Sequence, residues 1–193
     1  MWVRRAAIRP VRSYARVPEA VMDELRDVFA SEDDDTRERL DDAFDDFEER
    51  QSALSDFATE VLARNLDETA LALGYFLVLA VWMAFDNYHA ESLQEVSRDL
   101  LTATEESLTL DEQLRIGDPA EPLDSDDVVA MEQPHVLEFI NEHLDATLEA
   151  HADQVDVDDV QVVYRMVLVC VLALSYAVEP PVGYPVAKTE LMA

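Results

Sequence analysis

Ala70–Phe85 (ALALGYFLVLAVWMAF) contains no charged residue and is apolar on every side. A helix built from it has no face to turn toward water. In a soluble chain such a segment belongs at the centre of a bundle, enclosed by other helices. Val162–Val178 is a second run of the same kind, with Arg165 as its one charge. The expected plan is two apolar rods side by side, with Leu77 and Leu168 in the core, beneath a layer of amphipathic helices. Neither run is expected to span a bilayer. The first has seventeen uncharged residues between Glu68 and Asp86, where a spanning helix needs roughly twenty. Its ends also lack an aromatic or Arg/Lys girdle.

The surrounding sequence supplies the outer helices. From Glu19 to Ile116 there is no proline and a single glycine, Gly74, a long stretch without helix breakers. Pro18 at the first helical position opens a helix with Val21, Leu25, Val28 and Phe29 on one stripe. Leu40, Phe44, Phe47, Leu54, Phe57, Val61 and Leu62 keep helical spacing from Thr36 to about Arg64. Asp67 caps the first apolar helix, with Glu68 favourably placed in its first turn. Leu93, Val96, Leu100 and Leu101 continue the period, so the spacing leaves open whether this helix stops near Asn87. Gly117–Pro122 is a break, Asp124–Met131 a short helix, and Pro134 restarts the chain into the stripe Val136, Leu137, Ile140, Leu144, Leu148. Asp156 or Asp158 caps the last helix, and Pro180-Pro181 ends it.

No stretch alternates as a strand would. The fold class is therefore all-α, a single-domain multi-helix bundle of six to eight helices with two fully apolar central ones. The chain divides into a basic N-terminal arm (1–18), a helical domain (19–179) and an extended C-terminal tail (180–193). Gly74, with Ala70, Ala80 and Ala84, would let a neighbouring helix approach closely.

Charge narrows the function. The chain has 14 basic and 43 acidic residues, a net charge of −29, which argues against binding a nucleic-acid backbone over any broad surface. Such acidity suits either a salt-adapted proteome or a surface that docks a basic partner. The first eighteen residues oppose the trend, with five arginines, among them Arg4 and Arg5, and no acid. They read as an ordered arm on the acidic surface of this chain or of a second copy. The lone Cys170 sits in an apolar run and reads as a small buried hydrophobe.

Enzymatic motifs are scarce. Three glycines leave no phosphate-cradling loop and no nucleophile elbow. The acidic stretches at 33–35 and 156–159 lack the glycine of a calcium loop. A carboxylate-bridged metal site is the one catalytic alternative. Asp86-x-x-His89 and Glu132-x-x-His135 have the spacing that puts two ligands on one helix face, with Glu60 and Glu138 as further carboxylates. Against it, Pro134 falls inside the second pair and pushes Gln133 out of helical geometry. His135, His143 and His151 recur every eight residues and should fan around their helix, solvated singly.

Arg165 reads as a structural ion pair, or as an anchor for an anionic ligand with Tyr164, Tyr176 and Trp82 nearby. Glu32–Glu49 has eleven acids against two arginines, with Phe44 and Phe47 interleaved. It reads as a solvated face, or as a negative, partly aromatic surface for a basic protein. The leading expectation is a non-enzymatic, cytoplasmic interaction or regulatory protein, homo-oligomeric, binding a basic partner or itself, with no cofactor. Arg165, Phe44, Phe47, Arg4 and Arg5 are its interaction residues. A metalloprotein using Asp86, His89, Glu132 and His135 is the first alternative, and a small anionic-ligand sensor built on Arg165 the second.

Overall fold

In the computed structural model, residues 7–31, 34–116, 124–152 and 155–184 are described. They form α1 (Glu19–Ala30), α2 (Asp34–Arg50), α3 (Ser52–Leu62), α4 (Glu68–His89), α5 (Arg98–Ile116), α6 (Ser125–Glu132), α7 (Pro134–Ala150) and α8 (Val157–Ala177), preceded by a 3-10 turn at Ser13–Ala15. The architecture is all-helical, eight helices in one bundle, with α4 and α8 at the centre. The only β-pairing among the described residues is an isolated bridge between Leu93 and Val178.

The two apolar runs pack together as expected. Leu77, Val81, Ala84 and Phe85 of α4 and Val163, Val167, Cys170 and Leu174 of α8 are all fully buried. Both helices are long and apolar enough to cross a membrane by length and composition. In the bundle, 61% of the apolar window of α4 and 72% of that of α8 are covered by protein. Gly74 marks a close approach, since a Cβ there would collide with the end of the Leu62 side chain and touch Val163.

Helices α4 and α8 run parallel, which follows from the bonds at their ends. At the N-terminal end, Asp67 caps α4 by accepting from the Ala70 amide at 2.8 Å. Its other oxygen accepts from the Asp156 amide at 2.9 Å, while Asp159 accepts from the Asp67 amide at 2.7 Å. At the C-terminal end, the Gln94 amide donates to the Ala177 carbonyl and the Glu179 amide to the Ser92 carbonyl. Parallel neighbours need a long crossover, and α5, α6 and α7 supply it.

Helix α4 ends at His89, settling the point that periodicity left open. The helical stretch expected from Thr36 to Arg64 is broken at Gln51 (φ −133°, ψ 47°) into α2 and α3. The cause is tertiary. The buried Gln51 amide donates to the Gln94 carbonyl at 3.1 Å and accepts from the Val96 amide at 2.8 Å, holding the loop that leaves α4. Pro18 is the cap of α1, one residue outside it, and Met22 joins Leu25 as its deepest residue.

Residues 7–17 of the basic arm form a strap, anchored chiefly by apolar side chains. Ile8, Val11, Ala15 and Val17 are buried. Its polar grip is Gln133, fully buried between α6 and α7. This side chain accepts from the Val17 amide at 3.0 Å and donates to the Ala15 carbonyl and Ser175 Oγ at 2.8 and 2.9 Å. Of the tail, residues 180–184 are described. They turn at Gly183 (φ 87°) with the Tyr184 amide donating to the Pro181 carbonyl, a type II turn that wants glycine there. The turn brings Tyr184 edge-on to Tyr14 of the strap, with ring centroids 4.7 Å apart.

Candidate interaction surfaces

The four expected metal ligands are not brought together. Asp86 lies 2.6 Å from the Arg50 guanidinium, tying α4 to α2. Glu132 accepts from the Val11 amide at 3.2 Å and from Arg16 at 3.1 Å, both on the strap. His135 sits in the first turn of α7, with Nδ1 4.0 Å from a Glu138 oxygen. The reason lies in the backbone. Pro134 starts a new helix, so Glu132 and His135 belong to different helices and share no face. Asp86 and His89 do share α4, yet Asp86 is ion-paired and His89 is buried beside the strap.

Burial pushes the His89 pKa down, and the Ala15 backbone offsets this only in part. Its Nε2 is buried without a hydrogen-bond partner. Among the described residues, the group with three carboxylate or imidazole donors within 4.8 Å of one another is Asp124, Asp126 and Asp127. Two of these carboxylates form the capping box of α6. His143 and His151 converge more than an interval of eight suggests, since both line a groove between α4 and α7 with Thr147 and Phe76.

The acidic helix α2 divides its aromatics between two roles. Phe47 is core, 5.6 Å from the Trp82 ring, and is therefore not open to a partner. Phe44 is half-buried and lines a shallow cleft with Tyr75, Ser55, Ala58 and Val78. Beside it, Asp34, Asp35, Glu38, Asp41, Asp42, Asp45, Asp46, Glu48 and Glu49 are all exposed. Asp34 pairs with Arg37, and none of the other eight is in an ion pair with a described residue.

Arg165 is an inter-helix tie. It donates to Glu112 at 3.0 Å and to Thr109 at 2.7 Å, and lies 3.6 Å from Glu105, all on α5. A guanidinium faced by two carboxylates has little positive field left to offer an anion. The groove beside it, about 520 Å³, is bordered by Glu112, Asp124, Asp126, Tyr164 and Leu168. The Tyr164 hydroxyl donates to Asp126 at 3.4 Å. Burial raises the phenol pKa, and the charges of Asp126 and Asp127 raise it further.

One residue beside this groove has no counterpart in the sequence reading. Asp111 is wholly buried on α5 and accepts from the Ala7 amide at 2.9 Å, Ser125 Oγ at 2.7 Å and Arg115 Nε at 2.5 Å. Burial alone would raise its pKa. The bonds from Arg115, Ser125 and Ala7, with the charge of Arg115, outweigh burial and hold the carboxyl below the usual range. The signal was an acid on the stripe of Leu101, Thr104 and Leu108, where an apolar residue is expected. Arg4 and Arg5 lie outside the described residues.

Comparison with protein-family models, curated proteins and solved structures found no match. The functional reading therefore rests on the chain's own geometry.

Proposed function

We propose that this protein is a non-enzymatic interaction module whose α2 face docks a basic protein partner. The observation that supports this reading is the row of nine exposed carboxylates on α2 beside the cleft of Phe44 and Tyr75. Like charges held on one helix repel each other, and a cationic partner relieves that repulsion. The neighbouring cleft is too small to admit a side chain, but its rim at Phe44 and the exposed Tyr75 gives a partner apolar surface to lie against. Affinity then divides into a salt-sensitive part from the carboxylates and a salt-resistant part from that rim.

The test is calorimetric titration with an arginine/lysine-rich peptide carrying one central phenylalanine, at low and high salt. D41K/D42K/D45K/D46K on α2 should abolish binding. A control reversal of four acids elsewhere, such as Glu24, Asp27, Asp145 and Glu149, should weaken it only modestly. Equal losses from both reversals would show that the peptide senses net charge alone and would sink the assignment to α2.

A further inference from the structure

The strap enters the fold one residue away from an acidic groove that has no described occupant. The Ala7 amide donates to Asp111 Oδ1 at 2.9 Å, and the other oxygen of Asp111 accepts from Ser125 Oγ at 2.7 Å. Ser125 is itself a wall of the groove between α5, α6 and α8. Two hydrogen bonds thus connect the first described residue to that wall.

Groove and preceding segment are complementary in charge. The arginines of the groove are already engaged, Arg165 by Glu112 and Glu105 and Arg115 by Asp111. Asp124 and Asp126 remain on its border, close to Asp127, and neither is in an ion pair with a described residue. Leu168 and the highly exposed Ile116 give the groove an apolar side. Residues 1–6, MWVRRA, hold Arg4 and Arg5, no acid, and the apolar Trp2 and Val3. Trp2 lies five chain steps before Ala7, a reach of at most about 17 Å.

We propose that residues 1–6 of the same chain dock in this groove, with Arg4 and Arg5 on Asp124 and Asp126 and Trp2 against Ile116 and Leu168. The groove is then an intramolecular receptor for the chain's own basic segment. This surface lies apart from α2, so the assignment stands or falls independently of the partner reading above.

Trp2 is the probe. The sequence holds two tryptophans, and the difference spectrum between the full chain and W2F isolates the emission of Trp2. At low salt that emission should be blue-shifted. It should move to longer wavelength in R4E/R5E, in D126K and in 1 M NaCl, where screening acts within about 3 Å. Combining R4E/R5E with D126K and D124K should restore the blue shift. Trp2 emission that is solvent-like at low salt, or unaffected by D126K, overturns the proposal. Mixing W2F with D126K in equal amounts tests the source of the segment. Recovery of the blue shift in that mixture, together with a dimeric mass, would assign the groove to a second copy's segment and overturn the intramolecular form.

Discussion

Gln51 and Gln133 share a backbone conformation, φ near −130° with positive ψ, and each stands between two helices with its side-chain amide buried on other segments. Each side chain spends both its donor and its acceptor on tertiary bonds, and each departs from helical geometry where it does so. Replacing Gln133 by Leu leaves the Val17 amide, the Ala15 carbonyl and Ser175 Oγ without that partner. Ser175 Oγ keeps its bond to the Val171 carbonyl, so at roughly 1–3 kcal/mol for each of the two backbone groups left unsatisfied a loss of about 2–6 kcal/mol is expected by urea denaturation. Hydrogen exchange should show the Val17 amide deprotected before the amides of α4. Unchanged protection at Val17 would refute this.

Asp111 should be the most costly single carboxylate to remove. D111A removes the buried carboxylate that accepts at once from Arg115, Ser125 and the Ala7 amide. Breaking a buried pair from one side costs about 3–5 kcal/mol, so the variant should unfold at markedly lower urea. An exposed control such as D46A should be neutral or slightly stabilising, because it lowers self-repulsion.

His89 gives stability a slope near neutrality. Its folded pKa is depressed by burial, so between the unfolded value, about 6.5, and the lower folded one, the unfolded chain binds the extra proton. Stability from this group is present above pH 6.5 and is lost as pH falls below it. Urea midpoints measured at pH 7.5 and 5.5 should drop in the wild type and drop less in H89F. Equal drops in the two proteins would assign the slope to other groups.

Asp67 acts at lower pH. Its pKa is lowered first by the Ala70 amide, against some desolvation, with help from the Asp156 amide. Its contribution is therefore present above the ordinary carboxyl pKa and is lost as pH falls through the depressed folded one. D67A removes a helix cap and the acceptor shared with α8, and should cost about 1 kcal/mol or somewhat more at pH 7. The difference from wild type should shrink when both are measured below pH 3.

Salt should stabilise this chain. With a net charge of −29 and exposed acids along α2, self-repulsion falls as the Debye length shortens from about 10 Å at 0.1 M to about 3 Å at 1 M. Thermal unfolding should move upward across that range in sodium chloride. A falling transition would mean that the ion pairs tying the helices together outweigh the repulsion.

The central helices were legible because an uncharged run admits few placements, and because Asp67 and Asp156 mark their starts. Other features depended on partners distant in sequence. Gln51 has an ordinary helix propensity, and only Gln94 and Val96, some forty residues on, make it a break. The parallel course of α4 and α8 is set by bonds across some ninety residues and leaves no local pattern. Phe47 and Phe44 look alike in the sequence, yet one packs on Trp82 and the other borders a cleft. Asp111 was visible only as an acid out of place on its stripe.

The parallel pairing of α4 with α8 also governs the order in which the chain can mature. During synthesis, the oiliest surface of α4 is made long before α8 arrives to cover it, and each end of the pair is sealed only by residues near 156–179. At ribosomal speeds of about 5–20 residues per second, that surface waits several seconds for its partner. A chain stalled before α8 would have α1, α2, α3 and α7 to cover part of α4 but would leave its α8-facing side open to water, so the last helix is the one that completes the core.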